Sequence, residues 1–438
     1  MNKIYLVVLI GFYTNSFSQT TNTIVTELID LGEVAGSNEN FTTFSKFKEV
    51  LKGVEIVMLG EQSHGDATTY QSKIKLIKYL HQEMGFEILA FESGFYDCQK
   101  AWLQIKDGED VRTSLGNSIF YLWSTTKEFK PLAKYIDEKK NSGNPLIISG
   151  FDNQLTGKVS GNYYSSELKV FLQSIDSSLV KTNDWEHLEK SLKDITKFNL
   201  KEYEESDAIQ DTTFIHSLLN SLSKHPKDSL IRFWSQSLKS TKYYISDIKL
   251  KTNYRDKQMA ENLIWLKQKY PNKKIICWGA TSHFLYNSSN IKMKKIPYNI
   301  VDNYYQEQPM MGQYIKQHYG NKVFTIGFIA FEGYFGLTSK RNIKKPKKGS
   351  LEFEIGLSNY NNCFLDFSLT NTEGLISRPL AHKYMRNDIS KVMDGVIFNR
   401  VMTRPSLDRN FFLTIFPENK YIKPEPLENF TKPENSSN

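Results

Sequence analysis

Cysteine is scarce in this 438-residue chain: there are three, Cys98, Cys277 and Cys363. An odd number in no metal-ligand spacing makes neither a disulfide framework nor a zinc module, and leaves at most one pair that spacing cannot assign. Cys277 stands inside Ile275-Ile276-Cys277-Trp278, where a thiol serves as a small buried hydrophobe. Neither the apolar stretch in the first residues nor any later run is long enough to span a bilayer. There is no Gly-x-Ser-x-Gly elbow, so a serine-nucleophile route has no visible basis. His-Glu-x-x-His spacing and internal repeats are missing too.

What is present suits a globular protein, with 39% hydrophobic and 24% charged residues and room for a sizeable core. Lys3, the apolar stretch Ile4 to Tyr13 and Ser16-Phe17-Ser18 before Gln19 form a signal-peptide pattern. The expectation is therefore an exported protein, periplasmic or secreted, with residues 1–18 removed. No Cys stands at the cleavage site to take a lipid. Residues 19–422 are expected to form one α/β domain, and the Pro-, Glu-, Asn- and Ser-rich 423–438 a disordered tail. The net charge is +8, and much of the excess lies in Lys340-Arg341-Asn342-Ile343-Lys344-Lys345-Pro346-Lys347-Lys348. No aromatic platform or recognition helix accompanies that run, so it is expected to be a solvated loop rather than a nucleic-acid site.

Hydrophobic periodicity gives the architecture. Residues 20–49 carry only a loose helical lead-in. The apolar runs Ile56–Leu59, Phe86–Phe91 and Pro145–Ser149 predict buried parallel strands, alternating with helices over 70–84, 97–106 and 127–141. Gly85 is placed to stop the first helix. From about 160 to 270 strand signal fades and helical spacing takes over (Leu168, Phe171, Leu172 and Ile175 on one face, for instance). This predicts a helical insertion capping the cleft, its aromatic pairs Phe233-Trp234 and Tyr243-Tyr244 used for packing. Strands are expected again at Lys274–Trp278, Val323–Phe328, Leu351–Ile355, Cys363–Phe367 and Val392–Phe398. The fold class is α/β, a mostly parallel sheet with flanking helices.

Polar residues emerge where these strands end. Gly60-Glu61-Gln62-Ser63-His64-Gly65 follows the first strand, Glu92-Ser93-Gly94 the second, Gly150-Phe151-Asp152-Asn153 the third, and Gly279-Ala280-Thr281-Ser282-His283 the fourth. Ligands of open α/β sheets bind beyond the carboxyl ends of the strands. A single strand-end Glu is usually a cap and a single His a packed residue. Their convergence on one edge is what points to chemistry.

Taken in order and spacing, these motifs resemble the erythromycin esterase family. Arg255-Asp256-x-x-Met259-Ala260-x-Asn262 opens the helix before the fourth strand, and Gly349-Ser350-Leu351-Glu352 and Asp394-Gly395-Val396-Ile397-Phe398 match the closing segments. The likeness runs from about 45 to 405. The chain departs from it at Ala280 and Thr281, where many members have His-Asn, and in Asp66–Ser72, which has no Arg.

The resemblance implies metal-free, cofactor-free hydrolysis of a small-molecule carboxylic ester or lactone. It would make His64 the general base on water, Glu61 the group that fixes its tautomer, and Glu92 a holder of the water or a tuner of the imidazole. Arg255 and His283 would stabilise the oxyanion. Two other readings fit the same residues: a divalent-metal hydrolase using the Glu and His side chains, and an exported binding protein whose acids only shape a cleft.

Overall fold

The computed structural model describes residues 24–35, 40–224, 228–291, 293 and 308–418. The leader expected at 1–18 and the tail expected at 423–438 lie outside the described residues. Along the chain the strands are β1 (Ile29–Asp30), β2 (Ile56–Leu59), β3 (Phe86–Gly94), β4 (Ile147–Asp152), β5 (Lys274–Trp278), β6 (Val323–Phe335), β7 (Arg341–Ile343), β8 (Asn362–Asp366), β9 (Ser377–Leu380), β10 (Lys383–Met385) and β11 (Gly395–Met402). Among the described residues they form a nine-stranded sheet, ordered β1-β8-β11-β6-β2-β5-β3-β4 with β7 on β6, and a separate β9–β10 hairpin. Six neighbouring strands from β11 to β4 run parallel, while β1, β7 and β8 are antiparallel to their neighbours.

The parallel strands are continuous apolar runs because helices cover both faces. Leu59 lies opposite Trp278, Trp278 opposite Phe91, and Phe91 opposite Gly150. That register brings the exits of β2, β5, β3 and β4 to one level. The helix after β2 spans Ala67–Met84, three residues longer at its start than its apolar spacing shows, and ends at Gly85 with φ 70°. Its Leu76, Ile77 and Leu80 join Ile105, Leu132 and Ile136 in the main core.

Helices Lys158–Ile175, Asn183–Ile195, Glu205–Leu222 and Ser229–Lys249 build the insertion around a core of their own that includes Leu168, Trp185, Leu188, Leu218 and Trp234. Ile175 is solvent-exposed at the end of its helix, off the buried face. Phe233 stacks on Phe95, and Trp234 on Phe171. The helix Arg255–Lys269 sends Met259, Leu263 and Leu266 into the sheet core instead, so the insertion closes before Arg255 rather than near residue 270.

Three late segments differ from the sequence expectation. Leu351–Gly356 is a helix, not a strand: Ser350 Oγ caps it by accepting Phe353 N–H, and the alternation Leu-Glu-Phe-Glu-Ile fits either period in so short a run. The last strand begins at Gly395, because Ile389–Lys391 is a 3-10 turn that ends the preceding loop. The basic run is partly a strand, since β6 extends to Phe335 and its free length pairs with β7. In the lead-in, β1 pairs with β8, residues 24–26 are helical and Ser45–Val50 forms a short helix. All three cysteines are buried and free. Among the described residues no helix is long and apolar enough to cross a membrane.

Candidate active site

The loop leaving β2 is bounded by glycines because backbone crosses it at both ends. A Cβ on Gly60 would sit 2.6 Å from Thr281 Oγ1, and one on Gly65 2.4 Å from Gly336 Cα. The close approach is to protein, not to a ligand. Between them Glu61 is fully buried and saturated with donors. Its Oε1 accepts from His64 Nδ1 and Trp123 Nε1, both at 2.7 Å, and its Oε2 accepts from Lys73 Nζ at 2.8 Å. Lys73 also donates to Gly279 O at 3.1 Å and lies 4.7 Å from the Trp278 ring centre. Burial lowers the Lys73 pKa, and the charge of Glu61 opposes that.

His64 has Phe120 and Trp123 edge-on at 5.2 and 5.3 Å, and Tyr70 donates its hydroxyl to His64 O. Burial pushes the imidazole down, but the hydrogen bond and charge of Glu61, with Glu92 beyond, outweigh it and the net shift is upward. The neutral ring donates Nδ1–H to Glu61, which leaves the Nε2 lone pair for a proton.

Across β5, a second cluster gathers at the ends of β3 and β4. Arg255 makes a bidentate pair with Asp152, Nε to Oδ1 at 3.1 Å and Nη2 to Oδ2 at 2.7 Å, and its Nη2 also reaches Glu92 Oε1 at 3.1 Å. Glu92 Oε2 accepts from Ala280 N at 2.7 Å. His283 stands on the short helix Thr281–Phe284 between two acids, Nδ1 at 2.8 Å from Asp256 Oδ1 and Nε2 at 3.3 Å from Glu92 Oε1. Burial disfavours its charge, yet Asp256 and Glu92 raise it to about 10. Burial raises the Glu92 pKa, but His283 and Arg255 hold it well below the usual carboxylate range. At neutral pH this cluster is therefore an imidazolium and a guanidinium 3.4 Å apart, on ionised carboxylates.

Glu61, His64, Glu92, Asp152, Arg255 and His283 all face one cleft of about 420 Å³, closed on other sides by Phe120, Met310, Leu380 and Ala381. All the strand-end residues singled out from the sequence thus meet. Among the described residues the insertion helices contribute none to the lining; Gln154 and Thr156, in the loop that leads to them, do. The expected cap is supplied instead by the Phe120 segment and the β9–β10 hairpin.

Sequence reading missed Lys73, Trp123 and Asp256 as partners. Lys73 carried a signal: it lies on the same helical face as Tyr70 and Ile77, where a charge is buried only if paired. Trp123 carried none. Asp256 was read only as a neighbour of Arg255, yet its position one residue on turns it to His283 and to Met311 N at 2.9 Å.

A cleft of ionised groups at the carboxyl ends of parallel strands is the arrangement of an α/β enzyme. The family model described as "Erythromycin esterase" matches residues 81–402, and the chain belongs to that hydrolase family. The matched stretch takes in Glu92, Asp152, Arg255 and His283, while Glu61 and His64 precede it. The Bacillus subtilis (strain 168) protein named "Putative hydrolase YbfO" is 30% identical over 365 residues, covering 77% of this chain and 79% of its own. Erythromycin esterase type II of Escherichia coli is 20% identical over 404 residues, 82% of this chain and 92% of that one. A solved erythromycin esterase, a mutant of EreC in its open conformation, shares the fold with a TM-score of 0.63 at 16% identity, covering 84% of this chain and 96% of that chain.

Proposed function

We propose that the protein hydrolyses a carboxylic ester or lactone with water activated by His64 and without a metal. The observation that carries this reading is the Glu61–His64 bond, which leaves a basic Nε2 in the cleft opposite a cationic pair. His64 takes a proton from water as the water oxygen bonds to the carbonyl carbon. The carbonyl electrons move onto oxygen, and the N–H groups of Arg255 and His283 receive that charge. Collapse of the tetrahedral intermediate expels the alcohol, to which the His64 imidazolium returns its proton. Glu92 stays ionised throughout and holds the cations in place, rather than acting as an acid.

Metal-free chemistry is supported by the pairing of the acids: Glu61 is occupied by Lys73 and Trp123, and Glu92 and Asp152 by Arg255. Phe120, Met310, Leu380 and Ala381 offer apolar surface to the substrate. The test is a screen of esters and lactones, with product masses recorded before and after dialysis against a chelator. Turnover that survives chelation is expected; loss restored by a divalent ion would replace this reading with a metal hydrolase.

Export is proposed from the pattern of Lys3, Ile4–Tyr13 and Ser16-Phe17-Ser18. Sequencing of the protein from producing cells is expected to give an N-terminus near Gln19. Protein recovered with residues 1–18 intact would count against export.

A further inference from the structure

The turn between β9 and β10 holds an unusual backbone where it meets the His64 loop. Ala381 and His382 both have left-handed φ, 46° and 55°. Glycine and asparagine suit such a turn, and neither is present. Contacts with the loop hold it there. Ala381 N donates to Gln62 O at 2.9 Å, and Gln62 Nε2 to Arg378 O at 3.0 Å. Gln62 Nε2 also lies 3.0 Å from His382 Nδ1, and His382 Nε2 lies 3.0 Å from Asp66 Oδ1. Asp66 Oδ2 accepts from Ser63 N at 3.1 Å. The Phe335 ring centre is 4.4 Å from the imidazole, whose side chain is only 3% exposed.

We propose that His382 is a positioning residue that clasps the His64 loop from both ends, through Gln62 on one side and Asp66 on the other. Gln62 and Asp66 stand two residues before and after His64. A neutral imidazole accepts at Nδ1 from the Gln62 amide and donates at Nε2 to Asp66, so one rigid ring fixes both ends of the loop. The left-handed turn persists because these bonds over-determine it. Leu380 and Ala381 belong to the same hairpin and line the cleft, so the clasp ties their apolar surface to the base. A base held this way keeps its reach to the reacting water, on which rate depends steeply.

The clasp rests on the reading of His64 as base, and two measurements separate the two ideas. His382→Asn tolerates left-handed backbone but is too short to bridge Gln62 and Asp66; His382→Gln keeps a donor that reaches Asp66. The first measurement needs no substrate: the His64 titration by NMR in folded protein. The midpoint is expected to fall in His382→Asn, as the loop loosens from Glu61, and to recover in His382→Gln. The second is kcat, KM and Tm with p-nitrophenyl butyrate, His64→Asn serving as control. His382→Asn is expected to lose roughly tenfold to a hundredfold in kcat, with little change in KM, and His382→Gln to regain most of it at a similar Tm. Should the His382 variants fail to fold, Asp66→Asn, which keeps an acceptor, is expected to lose less kcat than Asp66→Ala. An unmoved His64 titration in His382→Asn would overturn the clasp, as would kcat losses that merely follow Tm. An active His64→Asn would overturn the base assignment instead.

Discussion

His64 and His283 leave adjacent strands, face the same cleft, and are held by carboxylates, yet their surroundings give them opposite characters. His64 has one acid, Glu61, and that acid is shared with Lys73 and Trp123. Among the described residues its Nε2 has no hydrogen-bond partner, and the upward shift in its pKa is what remains after burial has worked against Glu61. His283 sits between Asp256 and Glu92, and those two charges hold its proton up to about pH 10. The first imidazole keeps an Nε2 that can take up a proton, its pKa raised chiefly by one acid; the second is held as a cation by two. The count and occupancy of neighbouring acids, not the residue type, separates a base from an oxyanion donor.

The sharpest way to break this comparison is to remove the basicity of His64. His64→Asn keeps a similar size and is expected to lower turnover by roughly two to four powers of ten while leaving the protein folded. Near-normal turnover would end the role of His64 as base.

On the other side, Arg255→Ala would strand Asp152 as a buried carboxylate without its cation and leave Glu92 with His283 alone, so loss of fold would hide any catalytic role. Arg255→Lys keeps the charge and gives up the bidentate fork. It is expected to lower kcat by roughly tenfold to a hundredfold with a cooperative melt retained. An unchanged kcat would remove Arg255 from the oxyanion site.

A finer test reads both imidazoles at once. The reaction needs His64 neutral and His283 charged. As pH rises through the raised His64 pKa the rate should climb, with a midpoint above the ordinary value of ~6.5; as pH passes about 10 it should fall. Asp256→Asn removes one of the two acids on His283, so the alkaline limb should move down by roughly one to three units while the acid limb stays. An alkaline limb that does not move would assign it to another group.

Much of this was written in the sequence. β2, β3, β4 and β5 are short apolar runs bounded by turn residues, and each ends at the polar group that reaches the cleft. Leu351–Ile355 reads as a strand in the sequence but begins the helix Leu351–Gly356, because five residues of alternating polarity satisfy both periods and the Ser350 cap decides between them. The cap over the cleft was misplaced for another reason. The insertion helices are amphipathic toward one another, and their spacing says nothing about which neighbour they cover.

By itself the sequence determined the parallel strands, the insertion, the family, and the set of strand-end acids and bases, because period, turn chemistry and motif order are local properties of the chain. Only the tertiary structure decided which acid serves which base. Lys73 and Trp123 come to Glu61 from 12 and 62 residues away, and Arg255 to Asp152 from 103. Protonation follows the charges and burial within a few ångströms, and that neighbourhood exists only once the strands have taken their order in the sheet.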